Sequence, residues 1–368
     1  MSPLSTPTTV DHQIRDHRVP TMSFDIPPTM RAWQYSQTTG GLEQNLVLKD
    51  DVHVPTLSPR VGDNELLIEV LSASINPSDY KVAELPLNLG RAVVRTPATP
   101  AWDFCGRVVK TTNTVDNFRV GEIVFGRQPP TQQGACGQYI VASAKACASL
   151  PSGVDVDEAA SIPCAGLTAY QTIAPNVKPG DKVFLNGGSG GVGSFGIQIA
   201  KALGCHVTVS CSAAKAEQCK ALGADEIIDY TAVDVCQALR ERGQVFKLAV
   251  DNVGLPAELY KAGDDYLLPD GKFVQVGGPM SLAAVSSTMS RLLRPSFLGG
   301  GKRRFQLYTL TSDQHQDLTI LGQMVAEGKV KPVIEHTYDF EDVPTAFGDL
   351  RKGKTHGKLV IHVSDKRA

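Results

Sequence analysis

Residues 182–215 read KVFLNGGSGGVGSFGIQIAKALGCHVTVSCSAAK, and the glycines fall at spacings that suit a phosphate-bearing ligand. Gly188, Gly190 and Gly193 form G-x-G-x-x-G, with Ser189, Gly191 and Val192 between them. In a dinucleotide site the first glycine allows a tight turn. The second lets backbone approach a pyrophosphate, and the third lets helix and strand pack closely. A helix opening at the loop adds free N–H groups and a partial positive charge. The spacing alone is common. The apolar run before it and the helical pattern after it mark it as a nucleotide loop.

The end of the next strand selects among dinucleotides. An NAD site places an acid there, about 20 residues on, to hold the ribose 2′-hydroxyl. This chain has Ser210, Cys211, Ser212 and Lys215, with no acid before Glu217. Hydroxyls and an ammonium attract a 2′-phosphate that a carboxylate would repel. NADPH is therefore the expected cofactor, with Ser212 and Lys215 at its phosphate.

Such residues need a scaffold to converge. From residue 181 to 310 short apolar runs alternate with helical patterns, and one such helix carries Val192, Phe195, Ile199 and Leu203 on a single face. Strand–helix–strand repetition at this spacing means a parallel, doubly wound α/β sheet with right-handed crossovers. The part before it, with LLIEVLSASIN, WDFCGRVVK, GEIVFGR and GQYIVASAKACASL, has the short strands and turn residues of a β-barrel-type unit. After residue 310 a helical stretch precedes KPVIEHTYDF and GKLVIHV, which read as strands. The expected architecture is a β-rich domain built from both ends of the chain with the doubly wound domain inserted. Residues 1–28, rich in Pro, Ser and Thr, are expected to be a mobile tail. The first β-rich part is expected over 29–165, the cofactor domain over 166–307 and the return over 308–368.

Composition narrows the class. With 368 residues and 20% charged side chains, the net charge is only −2, which gives no electrostatic reason to expect nucleic acid or an anionic membrane. No apolar run approaches the ~18–20 residues that cross a bilayer. The N-terminus lacks a signal-peptide core and carries Asp11 and Asp16, against a mitochondrial presequence. None of the eight cysteines forms a C-x-x-C pair, so reduced thiols in the cytoplasm are expected.

INPSDYK (75–81), WDFCGRVV (102–109), AASIPCAGLTAYQTI (159–173), NGGSGGVG (186–193), LGADEIIDY (222–230) and GKLVI (357–361) occur in this order along nearly the whole chain. On these segments the chain resembles the medium-chain dehydrogenase/reductase superfamily, in its zinc-independent quinone-reductase and enoyl-reductase branch. RPSFLGGGKRRF (294–305) is similar to a stretch of fungal reductases of secondary metabolism. The resemblance implies a GroES-like catalytic domain and a Rossmann cofactor domain. A homodimer is among its expectations, because relatives often form one.

Zinc-dependent members hold their catalytic metal through Cys, His and Cys. The matching positions here are Asn76, Trp102 and Cys164, and one thiolate cannot hold a catalytic zinc. Without a metal, a conjugated acceptor is the easier substrate: a quinone, or an α,β-unsaturated ketone or thioester, whose charge spreads as hydride enters. The resemblance places Asn76 beside the nicotinamide and makes Lys81 the candidate donor to the acceptor oxygen, with Tyr80 next to it. It also places Thr168, Gly277 and Gly278 along the nicotinamide and Tyr230 beside the adenosine phosphate. A metal-free ketone or aldehyde reductase, and a non-catalytic NADPH-binding protein, sensor or crystallin-like, are the alternatives.

Overall fold

The computed structural model describes residues 23–58, 60, 63–86, 89–278, 302–309 and 314–364. Residues 1–22 of the expected tail and 294–301 of the glycine-rich basic segment lie outside them.

The N-terminal half supplies β1 (Thr29–Gln34), β2 (Val47–His53), β3 (Glu65–Ile75), β4 (Asp103–Thr111), β5 (Ile123–Arg127), β6 (Tyr139–Ser143) and β7 (Cys147–Ser149). Helices α1 (Pro77–Ala83), α2 (Leu89–Val93), α3 (Val156–Ser161) and α4 (Pro163–Ile173) belong to the same half. β3 is buried along nearly its whole length. It runs antiparallel to β4, β6 and a strand from the other end of the chain. A strand covered on both faces needs a nearly continuous apolar run, which LLIEVLSASI provides. Its two buried serines are satisfied: Ser72 Oγ donates to Asp157 at 2.8 Å and Ser74 Oγ to the Leu359 carbonyl at 2.9 Å.

The middle of the chain forms β8 (Lys182–Asn186), α5 (Gly191–Ala202), β9 (His206–Cys211), α6 (Ala216–Ala221), β10 (Glu226–Asp229), α7 (Val235–Arg242), β11 (Phe246–Asp251), α8 (Leu259–Tyr266), β12 (Leu267–Gln275) and β13 (Arg304–Leu307). The six strands are parallel, in the order β10-β9-β8-β11-β12-β13. This is the doubly wound dinucleotide-binding order, whose direction reverses between β8 and β11. α5 is buried more completely than one apolar face implies. Phe195 and Ile199 pack with Ala165, Leu167 and Ala169 of α4. Ile197 and Ala200 pack on the sheet with Val183 and Val207. The helix is sandwiched, so a second apolar face is required.

The chain then returns through α9 (His315–Ala326), β14 (Ile334–Tyr338), α10 (Val343–Arg351) and β15 (Lys358–His362). β15 lies between β14 and β3, giving the catalytic sheet the order β14-β15-β3-β4-β5-β7, with β6 also paired to β3. The β-rich domain is thus built from both ends of the chain. GQYIVASAKACASL is not one strand: a single 3-10 turn, Ala144–Ala146, divides it into β6 and β7. All eight cysteines are free, seven of them buried. No helix among the described residues is long and apolar enough to cross a membrane.

Candidate active site

The glycine loop connects β8 to α5 at the switch point of the sheet. Asn186, at the end of β8, accepts from Ser210 Oγ at 2.5 Å and donates to Asp251 at 2.8 Å and to the Leu255 carbonyl at 2.7 Å. Gly187 N–H returns to Ser210 Oγ at 2.9 Å. These bonds tie the ends of three strands together below the loop.

The glycines differ in what excludes a side chain. A Cβ at Gly188 would lie 2.7 Å from Cβ of Val209, and one at Gly193 would lie 2.1 Å from the Gly187 carbonyl oxygen. Packing within the protein demands both. A Cβ at Gly190 would meet nothing nearer than 3.9 Å. Gly190 is the N-cap of α5 and offers no side-chain cap, and the first helical bond runs from Ser194 N–H to the Gly190 carbonyl. The Gly191 N–H is turned toward the bridge with Gly357, while those of Val192 and Gly193 point from the helix start with no acceptor given among the described residues. Open space beside bare helix N–H groups is the cradle a pyrophosphate fits.

Ser212, Lys215 and Tyr230 gather where β9 and β10 end. Ser212 caps the 3-10 turn Ala213–Lys215. Lys215 Nζ donates to the carbonyls of Lys354 (2.9 Å) and Thr355 (3.2 Å), which leaves one of its three protons. Tyr230 is 57% exposed and bonds through its N–H to the Cys211 carbonyl. The nearby acid Asp229 is turned into its own loop, accepting from Thr231 N–H at 2.9 Å and Thr231 Oγ1 at 2.6 Å. Those bonds hold its carboxyl below the usual range.

The other wall is the end of the catalytic sheet. INPSDYK folds as a strand end passing into a helix. Asn76 is the N-cap of α1, Pro77 follows it, and Asp79 accepts from Asn76 N–H at 2.7 Å. Asn76 Nδ2 donates to Asp103 Oδ2 at 2.8 Å, and its Oδ1 accepts from the Lys358 ammonium. Lys358 Nζ also reaches the Ile75 carbonyl at 3.3 Å and Asp103 at 3.5 Å. That ion pair is dry, with the side chains 3% and 0% exposed. Both oxygens of Asp103 accept from Cys164 N–H at 3.1 Å. Trp102 lies beneath the Arg127 guanidinium, 5.4 Å from the ring centre. Burial pushes the Cys164 thiol up to about 11, helped by Asp103, so it stays protonated. Burial, then Asp103, pushes the Asp79 carboxyl up to about 8.

Zinc does not fit this donor set. The Asn76 oxygen is occupied by an ammonium, Trp102 offers no lone pair and the Cys164 thiol is neutral. Among the described residues no group of three His, Cys, Asp or Glu converges on a point.

Of the candidate donors, Lys81 is half-buried, has no hydrogen-bond partner among the described residues, and is made more acidic by burial. Tyr80 is turned elsewhere, its ring 4.5 Å beneath the Arg351 guanidinium, which bonds Glu43 and Glu84. Thr168, on α4, donates to the Cys164 carbonyl at 2.7 Å. Gly277 lies so close to the loop after β11 that a Cβ would meet the Asn252 carbonyl oxygen at 2.0 Å, whereas Gly278 has only Gln275 nearby. Tyr308, which the sequence does not single out, closes this wall: its hydroxyl bonds Gln171 at 2.6 Å. Asp103, Lys358 and Asn186 are equally unannounced. Their one signal is a polar residue at the edge of an apolar strand pattern.

Fold and site together define a nicotinamide-dependent oxidoreductase with a GroES-like and a Rossmann-like domain. The chain belongs to the medium-chain dehydrogenase/reductase superfamily, in its quinone and enoyl reductase branch. Residues 62–172 match the alcohol dehydrogenase GroES-like domain, and residues 222–361 match the zinc-binding dehydrogenase model. The chain is 40% identical to the trans-enoyl reductase pgmF of Aspergillus terreus over 94% of its length and 99% of the relative's. It is 31% identical to the mitochondrial NAD(P)H oxidoreductase RTN4IP1 of Danio rerio, covering 82% of this chain and 84% of that one. The solved quinone oxidoreductase of Coxiella burnetii superposes with a TM-score of 0.76 at 29% identity, over 91% of this chain and 100% of that one.

Proposed function

We propose that this oxidoreductase uses NADPH to reduce a conjugated carbonyl acceptor, a quinone or an α,β-unsaturated ketone or thioester, in the cytoplasm. The observation that carries the reading is the buried Lys358–Asn76–Asp103 group, which fills the place of a Lewis acid with protein charge. NADPH supplies the hydride when bound. Gly188 to Gly193 hold its pyrophosphate at the α5 N-terminus, while Ser212, Tyr230 and the free proton of Lys215 meet the 2′-phosphate. Thr168, Gly277 and Gly278 line the nicotinamide end. Negative charge gathering on the acceptor oxygen is met by Lys81, a half-buried donor whose ammonium burial makes more acidic. Tyr80 acts indirectly, by packing α1 against α10. The relative named a trans-enoyl reductase, at 40% identity, supports this substrate class.

The test is NADPH oxidation by quinones, enones, enoyl thioesters and simple ketones, with and without chelator, followed by product identification. Saturated ketones or hydroquinones at undiminished rate in chelator are expected. Alcohols formed from simple ketones would instead mark a carbonyl reductase, and cofactor binding without turnover would mark a non-catalytic binder. For the cofactor, Lys215→Ala should weaken NADPH by about 5- to 150-fold, the ~1–3 kcal/mol of a charge-assisted hydrogen bond, and leave NADH nearly unchanged. Equal wild-type affinity for both cofactors would refute the assignment.

A further inference from the structure

An ammonium placed in a dry site has to be explained. Lys358 Nζ has three protons and three acceptors around it: the Ile75 carbonyl, Asn76 Oδ1 and Asp103. A buried ion pair is poor evidence for stability, since apolar side chains of similar size often do as well. What this one does is remove a freedom. Lysine can only donate, so the Asn76 carboxamide must turn its oxygen toward Lys358 and its nitrogen toward Asp103. One Nδ2 proton is spent on Asp103. The direction of the second is fixed by the same two bonds.

The lysine also ties this amide to the nucleotide loop. Gly357 N–H donates to the Ser189 carbonyl at 3.2 Å, and Gly357 forms a bridge with Gly190. The Lys358 stem crosses the first turn of α5, its Cδ 3.1 Å from where a Gly191 Cβ would stand. Two residues thus join the loop of one domain to the amide of the other. We infer that Lys358 is a positioning residue for hydride transfer: it fixes the orientation of Asn76 and its register with the glycine loop. The inference rests on the reductase reading given above.

Lys358→Met alone leaves Asp103 buried without its cation, so the deciding variant is Lys358→Met with Asp103→Asn, which removes both charges. If the pair is only structural, this variant behaves as wild type. If Lys358 positions Asn76, the variant keeps NADPH affinity but transfers hydride to a reactive enone at least ~10-fold more slowly in single turnover. Independently of activity, the Asn76 side-chain amide protons should pass from two slowly exchanging NMR signals to exchange-broadened ones. Wild-type rate with unchanged amide signals overturns the inference. In an Asn76→Ala background the two substitutions should cost nothing more, and an additive loss there also overturns it. If the double variant does not fold, Asn76→Ala alone decides, because it leaves the ion pair whole: a wild-type rate overturns the inference, and a loss of at least ~10-fold supports it. Failure of the reductase reading looks different: the wild type itself would oxidise no NADPH, whichever acceptor is supplied.

Discussion

Lys81 and Asp79 sit two positions apart on α1 and carry opposite protonation problems. Burial makes the Lys81 ammonium a readier proton donor. Its loss in Lys81→Ala should lower single-turnover NADPH oxidation at least tenfold, toward the ~10²–10³ of a lost positioned donor, with cofactor affinity intact. Tyr80→Phe should cost less, because the ring already serves Arg351. Stopped-flow comparison of both with wild type decides; an unchanged Lys81→Ala rate removes the lysine from the chemistry. Asp79 keeps its proton to about pH 8, against an ordinary 3.8. The folded protein therefore binds more protons than the unfolded chain between those values, and its stability falls as pH rises through that window. The thermal midpoint should drop from about pH 5 to about pH 8 in wild type and much less in Asp79→Asn, where the group no longer titrates. Parallel curves would mean that Asp79 is already ionised.

The glycine loop separates what folding needs from what a ligand needs. Gly193→Ala drives a Cβ into the Gly187 carbonyl and should lower the thermal midpoint sharply. Gly190→Ala meets open space at an ordinary backbone angle, φ −79°, and should fold like wild type. It should nevertheless lose NADPH affinity about tenfold or more, measured by cofactor fluorescence, because its methyl group takes the phosphate's room. Unchanged affinity would place the pyrophosphate elsewhere. Such loops are readable from sequence because their constraint is local: spacing along a few residues decides the turn. Lys358 and Asp103 are not readable in that way. Each becomes functional through a partner far along the chain, Asn76 lying 282 residues from Lys358 and 27 from Asp103. α10 was hidden for a related reason, since its buried Val343, Ala346, Phe347 and Leu350 are spaced for a helix but sit between two runs that read as strands.

The whole chain follows a simple plan that periodicity does reveal: strands before, strand–helix alternation in the middle, strands after. What periodicity does not reveal is pairing. Nothing in GKLVIHV says that it will lie beside β3, with Leu359 opposite Ile75 and Val360 opposite Ser74. That pairing has a consequence for biosynthesis. The six strands of the nucleotide fold are contiguous from Lys182 to Leu307, so an emerging chain can complete that sheet as soon as it is made. β3, made much earlier, must wait for a partner whose contact spans 285 residues, Ser74 to Leu359. Until then the Ser72–Ile75 end of β3, which β6 does not cover, stands open to any passing strand. The topology thus predicts that the chain completes its nucleotide fold before its catalytic sheet, and that the interval between the two is when a nascent molecule most needs a chaperone.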